Sequence, residues 1–102
     1  IAVVPLGAAA RERALTLVAA LRRTEDAPPV AIDYREAKVA LHLKRADAVG
    51  ARAALILGDE ELARGEIVLR DLRAREQRAL ALPADPALAA CEIVRAYRAL
   101  AA

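Results

Sequence analysis

The chain carries one cysteine, one histidine, two tyrosines, and no phenylalanine or tryptophan in 102 residues. A lone Cys91 excludes an intrachain disulfide. With His42 it supplies too few soft ligands for a zinc site unless several carboxylates join them. That usage fits a reducing compartment, the cytoplasm, and Cys91 reads as a core residue. No apolar run reaches the roughly 20 residues that a membrane helix needs, so no membrane is expected as a partner. The opening Ile1-Ala2-Val3-Val4 is neither a signal peptide nor a natural initiation site, so the chain is expected to begin inside a longer protein. Charge of one sign is also scarce: 16 Lys and Arg against 14 Asp and Glu leave a net +2. That balance alone does not point to nucleic acid, although cations that are nearly all Arg permit bidentate phosphate contacts.

What is present is a 58% hydrophobic composition, enough for one compact domain over residues 1–102 that buries about two-thirds of its unfolded surface. Residues 1–6 form a continuous apolar run ended by Gly7, the pattern of a strand buried on both faces. In residues 8–24, Ala14, Leu15, Val18 and Leu21 recur at helical spacing, and Pro28 and Pro29 end the segment. Residues 30–34 read as a second, more polar strand. A second helix follows over 36–49 with Val39, Leu43 and Ala46 on one side, and Gly50 sits where a left-handed residue ends a helix. Residues 53–57 are a third, wholly apolar strand; residues 66–72 and 77–82 are a fourth and a fifth. Asp85 caps a last helix and Pro86 starts it, with Leu88, Cys91, Val94, Tyr97 and Leu100 as its buried positions.

Connection lengths set the strand directions. A parallel crossover needs about a dozen residues, and the links at 58–65 and 73–76 are shorter, so strands 3, 4 and 5 run antiparallel in succession. Strands 1, 2 and 3, joined through helices, run parallel. The two most apolar strands belong in the centre, which gives the order 2-1-3-4-5. The expected fold class is α/β: a three-layer α/β/α architecture on a five-stranded mixed sheet with strand 4 antiparallel. Ligands of such sheets favour the crevice beyond the carboxyl ends of strands 1 and 3, here bordered by Pro5-Leu6-Gly7 and Gly58-Asp59-Glu60.

Few side chains suggest chemistry. Gly7 lacks the partners of a dinucleotide fingerprint and reads as a strand-to-helix turn. His42 has no nucleophile beside it and reads as a solvated helix residue. Asp59-Glu60-Glu61 does not converge like a cation site and reads as a solvated turn that begins helically. Arg70, Asp71 and Gln77 flank the hairpin between strands 4 and 5. Alternation puts Val68 and Arg70 on one face and Ile67, Leu69 and Asp71 on the other. These three polar residues suit either a local ion pair with a strand-initiating Gln, or recognition of phosphate and base edges.

Residues 46–77, ADAVGARAALILGDEELARGEIVLRDLRAREQ, contain ADxxGAR, LGxxEL, ARG and RDLxxxEQ in that order. This grammar resembles the C-terminal anticodon-binding domain of class II aminoacyl-tRNA synthetases, most closely that of the histidyl-tRNA synthetases. The resemblance implies a non-catalytic domain that holds the anticodon loop of a histidine tRNA. Glu61 would accept hydrogen bonds from base amino groups, Arg70 would steer phosphate or base edges, and Gln77 would offer amide recognition. Tyr34, Arg35 and Lys38, entering the second helix, complete the candidate RNA-binding set, with Tyr34 as the aromatic for stacking. It further implies no cofactor in this fragment, and a homodimeric, ATP-dependent histidine–tRNA ligase as parent, whose N-terminal class II catalytic domain uses ATP and Mg²⁺. The pattern departs from the family twice. Glu36, Val39, Ala40, Leu41, His42 and Leu43 replace a segment that carries two lysines and a glutamine in the synthetases, and Arg75 replaces a hairpin Gly. Those losses suggest an alternative, a structural or regulatory module of a paralogue that no longer reads anticodons.

Overall fold

The first apolar run does form a strand, and each expected element follows it in order. A computed structural model describes residues 1–32 and 38–100. Tyr34, Arg35 and the expected start of the second helix lie outside the described residues. The elements are β1 (Ala2–Leu6), α1 (Ala8–Arg23), β2 (Ala31–Ile32), α2 (Val39–Ala48), β3 (Ala53–Gly58), α3 (Asp59–Ala63), β4 (Glu66–Asp71), β5 (Glu76–Ala81) and α4 (Pro86–Leu100). The sheet order is β2-β1-β3-β4-β5. β1 pairs in parallel with both β2 and β3, while β4 runs antiparallel to β3 and to β5.

The two helical crossovers leave β1 and β2 in opposite directions along the sheet. With right-handed connections, α1 and α2 therefore cover opposite faces. On the first face α1 packs against α4 over a core of Val3, Leu17, Leu21, Leu55, Leu57, Ile67, Leu69 and Ile93. Each of these side chains is at most 1% exposed, so each contributes about 1.5–3 kcal/mol of transfer free energy. On the second face α2 packs over β1, where Val4, Ala54 and Ala46 are buried.

Local signals act where expected. Gly50, at φ 77°, ends α2 in a left-handed residue: its N–H bonds the Asp47 carbonyl and the Ala51 N–H bonds the Ala46 carbonyl, the Schellman pattern. Asp85 Oδ1 accepts the Ala87 N–H at 3.0 Å and so caps α4. Gly7, at φ 118° and ψ 165°, makes the strand-to-helix turn.

Five expected placements are corrected. Leu15 is 52% exposed and Leu17 takes the core position, because α1 turns the line Ala10, Ala14, Leu17, Leu21 inward. In α4 Leu88 and Cys91 are exposed, while Ala89, Ala90, Ile93, Val94 and Ala96 are buried. Close packing against α1 selects the small alanines for the contact arc and leaves the larger Leu88 outside. His42 is 3% exposed rather than solvated, and Val39 is exposed. The inward line of α2 is His42 to Ala46, four residues apart on one helix face.

Candidate nucleic-acid interface

Asp71 closes the β4–β5 hairpin. Its Oδ1 accepts the N–H groups of Arg73 at 2.9 Å and Ala74 at 3.2 Å. Its carbonyl accepts the Arg75 N–H at 2.8 Å. Arg75 completes the turn at φ 58°, so the non-glycine residue here adopts the left-handed conformation. Arg52, at the entrance to β3, donates from Nε and Nη2 to the two Asp71 carboxylate oxygens at 3.3 and 3.4 Å. The same guanidinium donates to the Leu100 carbonyl at the end of α4. One side chain thus ties the hairpin to β3 and to α4. Partial desolvation pushes the Asp71 pKa up. The donors Ala74, Arg52 and Arg73 outweigh it, and the carboxyl is held below its ordinary value.

Arg70 and Gln77 are directly opposed across the β4–β5 ladder. Arg70 Nη1 donates to Gln77 Oε1 at 3.1 Å. A guanidinium carries donors only, so it fixes which end of the amide faces it. The Gln77 NH₂ group is left pointing away from Arg70, with no partner among the described residues. This pair lies on the sheet face that α2 covers chiefly at β1. Gln77 and Ala79 of β5 are exposed there, and Val68 and Arg70 of β4 are half-buried.

Beside the pair is a small cleft of about 170 Å³ lined by Leu43, Lys44 and Asp47 of α2 and by Arg70, Leu72 and Arg75 of the hairpin. Lys44 and Arg75 were not in the expected set. Their approach follows from topology: Gly50 delivers α2 to the amino end of β3, and the antiparallel register Ala54↔Arg70 brings the hairpin to that same end. The antiparallel direction follows from the connection lengths.

The other candidates lie elsewhere. Glu61 belongs to α3, past the carboxyl end of β3, and its carboxylate is folded back over Gly58 so closely that a side chain there would collide with it. Four residue steps along β3 lead from Ala54 to Gly58, so this end is roughly 13 Å from Arg70. Lys38, exposed, precedes α2 and lies at the helix end remote from Gly50, roughly 15 Å away along the axis. In the crevice expected beyond β1 and β3, Asp59 occupies the start of α1. Its Oδ1 accepts the Ala10 N–H at 3.3 Å, and a Cβ on Gly7 would collide with its carboxylate. A carboxylate at that helix N-terminus takes the place an anionic ligand would use. Among the described residues no three His, Cys, Asp or Glu side chains converge on one point, and no helix is long and apolar enough to cross a membrane.

Comparison with known proteins gives this geometry a family. Residues 1–85 match the family model described as an anticodon binding domain. The histidine–tRNA ligase of Saccharopolyspora erythraea is 42% identical over 87 residues, covering 85% of this chain and 20% of the ligase. That of Sorangium cellulosum is 40% identical over 78 residues, covering 76% of this chain and 18% of the ligase. The chain therefore spans about a fifth of the length of the curated relatives it matches. The crystal structure of histidyl-tRNA synthetase from Nostoc superposes with a TM-score of 0.75 at 26% identity, over 94% of this chain and 22% of that one. The chain belongs to the anticodon-binding-domain family, and within it to the histidyl-tRNA synthetase type.

Proposed function

We propose that the chain binds the anticodon loop of a histidine tRNA across the open β4–β5 face, as the positioning module of a larger histidine–tRNA ligase. The observation that carries this reading is the Arg70–Gln77 pair. A guanidinium and an amide held edge to edge on a partly exposed sheet face offer a row of N–H donors, and the Gln77 NH₂ turned away from Arg70 asks for a base edge that presents acceptors. Glu61 and Lys38, at the far end, would meet another part of the same splayed loop, where a carboxylate accepts from a base amino group and an ammonium meets phosphate. The domain itself performs no bond chemistry. Adenylate formation with ATP and Mg²⁺, the class II catalytic domain and a homodimeric, cytoplasmic assembly are assigned to the parent.

Titration of a histidine-tRNA anticodon stem-loop against the full chain at two salt concentrations tests the reading. The expected result is binding that weakens with salt and with replacement of the anticodon bases. In Gln77→Ala the preference for the histidine anticodon should fall more than overall affinity, whereas in Arg70→Ala both should fall. Absence of binding even at low salt overturns the proposal and favours the structural or regulatory module.

A further inference from the structure

Arg70 and Gln77 account for only part of the cation-bearing surface at this end of the sheet. The adjoining cleft brings together three cations, Lys44, Arg70 and Arg75, against one anion, Asp47. Neither Lys44 nor Arg75 is ion-paired among the described residues. At about 170 Å³ the cleft is smaller than the sites that enclose nucleosides or drug-sized ligands, yet it accepts a tetrahedral anion. Asp47 sits in the last turn of α2, where the helix end is itself partially negative, and both repel an anion from the helix wall. The attractive ground lies between the Lys44 ammonium and the hairpin arginines.

Arg75 supplies an independent observation. It holds φ 58°, a conformation that disfavours any residue with a Cβ by roughly 1–2 kcal/mol and that glycine adopts without strain. A strained long cation at the mouth of a cationic cleft points to use rather than to stability.

We propose that this cleft seats one backbone phosphate of the bound RNA, with Lys44 and Arg75 as its two ligands, immediately beside the base edge that Gln77 reads. The inference rests on the proposed function, because the seat fixes the register of the same RNA. The phosphate takes Coulombic contact from the ammonium and up to two N–H donors from the guanidinium. The contact carries no sequence information; it places the neighbouring base against Gln77.

The test uses the full chain and the histidine-tRNA anticodon stem-loop, with log Kd measured against log salt for wild type, Arg75→Gly, Lys44→Gln and the double variant, and folding checked by circular dichroism. The salt slope counts phosphates neutralised, at about 0.7 per phosphate for single strands. Each single variant should lower the slope by up to about 0.7, and the double variant should lose no more than that, since both ligands serve one phosphate. The ratio of affinities for the histidine anticodon and an altered one should stay within about twofold. A wild-type slope in both single variants overturns the seat, as does a double variant that loses two phosphates' worth. So does a loss confined to anticodon preference. Failure of the wild type to bind overturns the functional reading itself, so the two failures are distinct.

Discussion

Replacing Arg75 by glycine should make the protein more stable while weakening its hold on RNA. The left-handed conformation at φ 58° disfavours an L residue by roughly 1–2 kcal/mol. Glycine removes that strain and adds back roughly 0.4–1 kcal/mol through the larger entropy of the unfolded chain. The net gain is about 0.5–1 kcal/mol, which for a domain near 100 residues raises Tm by a few degrees, on the scale of about 4–8 °C per kcal/mol. Thermal and urea unfolding followed by far-ultraviolet circular dichroism reads this directly, with the urea midpoint rising at constant slope. Arg75→Ala is the control: it removes the charge and keeps the Cβ, so it should unfold with wild type. If Arg75→Gly melts at or below wild type, the strain argument is wrong. If alanine and glycine stabilise equally, the gain comes from relieved repulsion among the hairpin cations.

Three further outcomes follow from the fold. Gly7→Ala should destabilise by about 1–3 kcal/mol, because φ 118° with ψ 165° is essentially glycine territory and the Asp59 carboxylate fills the space of a Cβ; a wild-type urea midpoint would refute the close approach of Asp59 to the β1–α1 turn. Leu55→Ala, at a fully buried position in the central strand, should lose about 2–5 kcal/mol, and a loss below about 1 kcal/mol would contradict the packed core. For Asp71 the folded pKa lies below 3.8, the unfolded value. Its contribution is therefore complete above that pH and is lost as acid titrates the folded carboxylate below it. The stability difference between wild type and Asp71→Asn, read from urea midpoints at descending pH, should be constant near neutrality and shrink below about pH 3.8; a difference that persists unchanged into acid would rule out the ionised contacts as its source.

The strand order was legible because it depends on quantities a sequence states plainly. Loop lengths exclude parallel pairing after β3, and apolar content ranks β1 and β3 above β2. Single residues fixed element ends for equally local reasons: Gly50 supplies a left-handed residue and Asp85 a capping oxygen. Helix facing was less legible, since alanine is apolar enough for a core and small enough for a surface. In α4 the pattern marked Leu88 and Cys91, while the fold buried Ala89, Ala90 and Ala96. What decides between those arcs is how closely α1 and α4 approach, a property of two helices together. His42 was misplaced for a related reason: a polar label says nothing about which side of α2 meets β1.

The site divides along the same line between local and nonlocal information. Arg70 and Gln77 are seven residues apart on either side of a hairpin, so their pairing follows from the turn. The orientation of the Gln77 amide required the 3.1 Å contact with Arg70, and it changes what the residue can do, from an amide of either polarity to a donor. Glu61 stands in the same sequence grammar, nine positions before Arg70, yet β4 carries the two to opposite ends of the sheet. They cannot share a base. If both contact RNA, they contact different nucleotides, separated by roughly the length of a strand, about 13 Å. The motif in the sequence is therefore one continuous string that the fold converts into two separate contact points, with the Lys44–Arg75 cleft beside only one of them.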